Sequence, residues 1–208
     1  QGARRGNARA SRAAARYRAH GVVGGAGGSR LSGGTSVGKW PIEAVTTMAR
    51  ISESIEEHGL ERVPALGTRP HTVGGAVTRA AAEIGELLGA KYLVTFTQSG
   101  DSAKRLSRIR SKVPMLAFTP LQTTRSQLAL SWGIETYLVP RTRHTDQMAM
   151  QVDESLLKDG RCVEGDTVVI VAGSPPGIRG TTNALRVHHM GDAKNKVAPA
   201  YDDLGLPQ

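Results

Sequence analysis

The sequence predicts an α/β domain: a three-layer sandwich around a mostly parallel five-stranded sheet, preceded by an isolated amphipathic helix. Three observations lead there. From Val73 onward, short β-rich runs alternate with stripes of helical period. Such alternation implies βαβ units with right-handed crossovers. The run 167–172 is apolar throughout, as a strand buried on both faces requires. A separate stripe over 41–58 has a helical period but stands outside the alternation.

The elements follow in order. Pro41 suits a first helical turn. Ile42, Val45, Met48, Ile51 and Ile55 then recur three or four residues apart, and Gly59 supplies a stop. Residues 59–72, with Pro64, Gly67 and Pro70, lack periodicity and read as a linker. Val73, Val77, Ala81, Ile84 and Leu88 mark a long helix. Strands are expected over 92–97, 114–119, 136–139, 167–172 and 184–189. Helices are expected over 102–110, 121–132 and around Met148, Val152 and Leu156. The α/β domain thus spans 73–191, between a basic low-complexity segment (1–30) and a polar tail (192–208).

Charge is unevenly spread along the chain. The net charge is +9, yet residues 1–39 hold eight basic residues and no acid. The remaining 19 basic residues face all 18 acids. The high isoelectric point therefore belongs to the leading segment and not to the domain. Arg, Ala and Gly there offer no apolar face to dock, so disorder is expected over 1–30. Such a tail attracts polyanions nonspecifically. With 4% aromatic residues, a base-stacking platform is not expected, and neither is a specific nucleic-acid partner. No apolar run reaches membrane-span length. The single Cys162 has no partner for an internal disulfide, which suits a reducing, cytoplasmic setting. It follows a polar turn, with no paired base in evidence, and reads as a bystander.

Ligands of open α/β sheets bind beyond the carboxyl ends of the strands. Those ends carry Thr97, Thr119 and Ser174. The turn Thr97-Gln98-Ser99-Gly100-Asp101-Ser102 joins a strand directly to a helix start. Free amides, a helix N-terminus and hydroxyls are the ingredients of a phosphate site. Lys104 and Arg105 add positive charge, whereas Asp101 opposes an anion unless it points away. Ser99 or Asp101 as a plain helix cap accounts for the same residues. A second loop, 173–183, either connects two strands as an ordinary hairpin or folds over the crevice and brings Arg179 with it. Gly33 to Lys39 imitates the start of a Walker A loop, but Trp40 stands where a Mg²⁺-holding Ser or Thr is needed. His188 and His189 are adjacent on a strand, face opposite ways and are expected at an edge or surface. No metal-binding spacing occurs.

At these residues a family resemblance becomes specific. The stretch from Leu31-Ser32-Gly33-Gly34-Thr35 to Gly38-Lys39-Trp40-Pro41 resembles the end of the pyruvate kinase catalytic barrel, where L-S-G-E-T-x-x-G-x-Y-P leads into the last barrel helix. Thr47-Met48-Ala49-Arg50-Ile51 follows as it does there. Phe96 to Ser102, Leu116-Ala117-Phe118-Thr119-Pro120, Arg125-Ser126-Gln127-Leu128 and Gly180-Thr181-Thr182-Asn183 resemble the C-terminal domain of that family, in the manner of its actinobacterial members. The resemblance covers about 31–192. It makes 31–58 a remnant of the barrel end. Gly34 stands where the family has Glu.

The resemblance implies an effector site at Thr97, Ser99, Gly100, Ser102, Gly180 and Thr181, holding the phosphate of a sugar phosphate or nucleotide. It also implies assembly, either with itself or with intact subunits. The family's reaction moves a phosphoryl group from phosphoenolpyruvate to ADP, giving pyruvate and ATP in glycolysis. It uses a Lys electrophile, Mg²⁺ and K⁺, all held by the barrel. No positions matching that machinery stand in this chain, so no cofactor and no activity are expected of it alone. Residues 1–30 do not resemble barrel strands, and a shifted reading frame in a GC-rich gene would encode such a stretch. Two other readings remain: a non-catalytic assembly or sugar-phosphate-binding module, and, more weakly, a P-loop phosphotransferase.

Overall fold

The computed structural model describes residues 35, 37–59, 69–178 and 180–195. The basic segment 1–30, most of the 59–72 linker, Gly33, Gly34 and Ser36 of the Walker-like stretch, Arg179 and the tail past 195 lie outside the described residues. The chain divides into two compact units, Gln1–Gly67 and Thr68–Gln208.

In the first unit, α1 (Pro41–Gly59) forms where the stripe predicts it. Proline has no N–H to lose at a helix start, and the first turn closes through Ala44 N donating to Trp40 O at 3.0 Å. Trp40, Ile42 and Val45 are exposed. No helix among the described residues is long and apolar enough to cross a membrane.

The second unit runs α2 (Val73–Leu87), β1 (Tyr92–Phe96), α3 (Asp101–Ile109), β2 (Met115–Thr119), α4 (Gln122–Leu128), β3 (Ile134–Leu138), α5 (Thr145–Lys158), β4 (Thr167–Gly173), β5 (Thr182–His189) and α6 (Asp192–Asn195). The strand order is β3-β2-β1-β4-β5. β1, β2, β3 and β4 pair in parallel, and β5 runs antiparallel to β4.

Strand alternation sends side chains to two faces. Leu93, Met115, Val169 and Val171 pack under α2 and α3 with Ala81, Ala82 and Leu106. Val94, Leu116, Phe118, Val168 and Ile170 pack against Ala149, Val152 and Leu156 of α5. Leu128 of α4 sits with Ala103 and Ala117, on the α3 side. These are the three expected layers. Gly85 lets α2 approach β1 closely, since a Cβ there would lie 2.6 Å from Leu93 Cδ2.

Several boundaries differ from the sequence expectation, among them the start of the last strand, which lies at Thr182 and not at 184. The helix expected over 121–132 ends at Leu128. The next residues anchor instead: Ser107 Oγ donates to Trp132 O at 2.7 Å, and Arg110 lies over the Trp132 ring at 4.3 Å. The third strand begins at Ile134, not 136, because Ile134 pairs with Met115.

Histidine 188 also differs. His188 and His189 do face opposite ways, but His188 is buried, and its Nε2 lies 2.8 Å from Asp153 Oδ1 on α5. β5 is an edge strand, yet α5 covers its inner face. His189 is exposed and lies beside Thr167.

Cys162 follows the turn at 159–161, as expected, and its side chain sits in the α5-side core. Burial pushes its thiol above the ordinary range, which suppresses the nucleophilic thiolate. Ellman's reagent is expected to leave the native chain unlabelled over a period that fully labels the urea-unfolded chain. Equal rates for the two would overturn this reading.

Candidate anion site at the strand ends

β1 leads through Thr97, Gln98, Ser99 and Gly100 into α3. Thr97 N donates to Phe118 O at 3.0 Å, extending the sheet by one residue. The Thr97 hydroxyl turns back and accepts from Gly100 N at 2.9 Å. Gly100 has φ 82°, a left-handed conformation that glycine adopts without strain.

As the N-cap residue of α3, Gly100 has no side chain to satisfy the first-turn amides. The capping explanation weakens further. Asp101 Oδ2 accepts from Arg105 Nε at 2.7 Å, and Asp101 N donates to Ser99 Oγ only at 3.4 Å. A helix start carries a partial positive charge on its amides. Here the N-cap glycine satisfies none of them, and the one side-chain bond they make among the described residues is the 3.4 Å contact from Asp101 N to Ser99 Oγ.

The second loop joins β4 to β5. At its base, Asn183 Oδ1 accepts from Ser174 N and Asn183 Nδ2 donates to Ser174 O, both at 2.7 Å. The side-chain amide thus imitates a strand partner. Gly173 is required there, because a Cβ would sit 2.5 Å from Thr181 Oγ1. Thr181 Oγ1 donates to Ile178 O at 2.8 Å and folds the tip. Two bonds tie the loops together. Gln98 Nε2 donates to Gly177 O at 3.2 Å, and the Ser102 and Thr182 hydroxyls meet at 2.5 Å. From α4, Thr124 Oγ1 donates to Gln98 O at 2.6 Å and fixes the first turn.

Between the loops lies a cleft of about 130 Å³. Thr97, Ser99, Ser102, Gly180 and Thr181 all line it. Gly100 shapes the turn and is not part of the lining. The floor is apolar, with Phe96, Phe118 and Val139. Two other strand-end residues do not join the site. Thr119 is fully buried, and its Oγ1 accepts from Leu121 N at 3.3 Å. Ser174 lines a neighbouring crevice between α5 and β5.

Sequence reasoning missed Arg141 and Thr142, which form a third wall. They follow β3, whose carboxyl end obeys the same strand-end rule. Arg141 is exposed and brings a guanidinium to the cleft.

The model of the family described as "Pyruvate kinase, alpha/beta domain" matches residues 75–188. A pyruvate kinase of Mycobacterium tuberculosis is 50% identical over 186 residues, which are 89% of this chain and 39% of that protein. A pyruvate kinase of Corynebacterium glutamicum is 47% identical over the same shares. A crystal structure of a pyruvate kinase from Cryptosporidium parvum superposes with a TM-score of 0.68 at 23% identity, over 83% of this chain and 35% of that one. The chain therefore spans about two fifths of the length of these relatives. The 186 matched residues exceed the 31–192 span, so part of the flanking sequence aligns as well.

Proposed function

The chain belongs to the pyruvate kinase family, and from that premise we propose that its α/β domain is a regulatory module that holds a phosphorylated effector in this cleft. The effector is a sugar phosphate or a nucleotide. One observation carries the reading: α3 starts at a glycine without a side-chain cap, beside a cleft lined by the hydroxyl residues Ser99, Ser102 and Thr181. Main-chain amides at a helix start bind anions without needing a dedicated cation.

The whole-protein reaction, phosphoryl transfer from phosphoenolpyruvate to ADP, belongs in this proposal to a longer assembly. Phosphoryl transfer depends on positioned cations and metal ions. Among the described residues no group of three or more His, Cys, Asp or Glu could hold a metal ion. No catalytic step is assigned to the residues of this domain. The 208 residues alone are proposed to be inactive, to need no cofactor, and to act in the cytoplasm through other subunits or other copies. The exposed Trp40, with Ile42 and Val45 of α1, favours such an assembly role.

Calorimetry with sugar mono- and bisphosphates and nucleoside monophosphates tests the proposal. One class is expected to bind saturably, one per chain, and more weakly at high salt. A Ser99→Ala/Ser102→Ala double variant should lose about tenfold or more, since a hydrogen bond to a charged group is worth roughly 1.5–3 kcal/mol. Absence of any binding at millimolar concentrations would refute the effector reading. ATP formation above background in a coupled assay would refute the inactivity of the chain alone.

A further inference from the structure

Asp101 is a difficulty for any anion in this cleft. It lines the wall in the first turn of α3, where a free carboxylate repels a phosphate. Its Oδ2 is occupied, however, by Arg105 Nε at 2.7 Å, one turn along the helix. The i,i+4 spacing puts the two side chains on one face. Lys104, one residue earlier, lies about 100° away around the helix and is exposed.

The guanidinium has a second anchor. Arg105 Nη1 donates to Thr72 Oγ1 at 3.0 Å. Thr72 is the N-cap of α2, and the same oxygen accepts from Gly75 N at 3.2 Å. Gly75 leaves room for this: a Cβ there would come within 3.1 Å of Thr72 Oγ1 and 3.4 Å of Arg105 Nη1. One guanidinium thus ties the first turn of α3 to the cap of α2.

We propose, resting on the effector reading above, that Arg105 is a positioning residue that makes the cleft competent for an anion. It neutralises Asp101 and holds that carboxylate against its own helix. Thr72 fixes the guanidinium in the orientation that does so. The Arg105 and Asp101 side chains are 33% and 58% exposed, and ion pairs of this kind add little to folding stability. The consequence belongs to ligand binding.

The test titrates inorganic phosphate into the full ¹⁵N-labelled chain and follows the amide shifts of residues 97–102. Wild type is expected to give saturable shifts. Arg105→Gln should raise the Kd about fivefold, the equivalent of the ~1 kcal/mol between unit charges 4 Å apart in water, and the difference should shrink at high salt. Asp101→Asn should bind at least as tightly as wild type. The double variant Asp101→Asn/Arg105→Gln should recover the wild-type Kd, a rescue that a merely structural arginine would not give. Urea midpoints of all four chains should agree closely. If Arg105→Gln binds like wild type, or if the double variant stays as weak as Arg105→Gln, the positioning role is overturned while the effector site stands. If wild type gives no saturable shift, the effector reading fails and this inference fails with it.

Discussion

Gly100→Ala is expected to abolish phosphate binding at the 97–102 turn and to destabilise the α/β domain by about 2 kcal/mol. Two costs combine. The residue sits at φ 82°, and an L side chain in the left-handed region costs roughly 1–2 kcal/mol. The added Cβ would also lie 3.2 Å from Leu128 Cδ2 and 3.5 Å from Thr124 Cγ2. Neither neighbour yields easily. Leu128 is fully buried among Ala103 and Ala117, and the Thr124 hydroxyl is committed to Gln98 O at 2.6 Å. The turn must move instead, which breaks the bond from Gly100 N to Thr97 Oγ1 and misaims the first-turn amides.

Gly180→Ala is the control. Gly180 also has φ 82° but faces open space, so only the backbone cost, roughly 1–2 kcal/mol, applies. Urea unfolding of both variants, with phosphate titration of each, measures the two terms separately. Wild-type phosphate affinity in Gly100→Ala would exclude this turn as the anion site.

Much of the fold could be read from periodicity, and the site could be read only where its residues are contiguous. The 167–172 run announced a strand buried on both faces because apolarity on successive residues leaves no solvent side. The turn from Thr97 to Ser102 was legible because strand end, glycine, hydroxyls and helix start fall within six residues. Arg141 was not legible, because it meets the cleft through sheet order: β3 lies two strands from β1. The same limit hid the tie from Asp101 to Thr72. Its i,i+4 half can be seen on a helical wheel, but its partner stands 33 residues away from Arg105. Periodicity also gives the face of a side chain without saying what covers that face. Alternation puts His188 on the side opposite His189, yet only the packing of α5 on an edge strand makes that side an interior.

That interior pair gives the second large expected effect. Asp153 is fully buried in α5, with Oδ1 2.8 Å from His188 Nε2 and Oδ2 accepting from Ala193 N at 3.2 Å. One carboxylate thus fastens β5 and the start of α6 to α5, inside a layer otherwise built from Val152, Val168 and Met190. Asp153→Ala removes both bonds and leaves a void. A ring nitrogen and an amide are stranded away from water, where an unsatisfied buried group costs about 1–3 kcal/mol. Deleting one member of a buried pair typically costs roughly 3–5 kcal/mol, and a loss of that order is expected in urea unfolding. Asp153→Asn keeps the volume and an acceptor for the Ala193 amide, so its cost should be less than half as large. Hydrogen exchange should quicken at Ala193 and along 184–189 in the alanine variant. The pair does not line the cleft, so the folded fraction of Asp153→Ala should keep its phosphate affinity, the reverse of the pattern expected for Gly100→Ala. A loss below about 1 kcal/mol would mean that the carboxylate is not the internal fastening described, and that the apolar layer alone holds β5 in place.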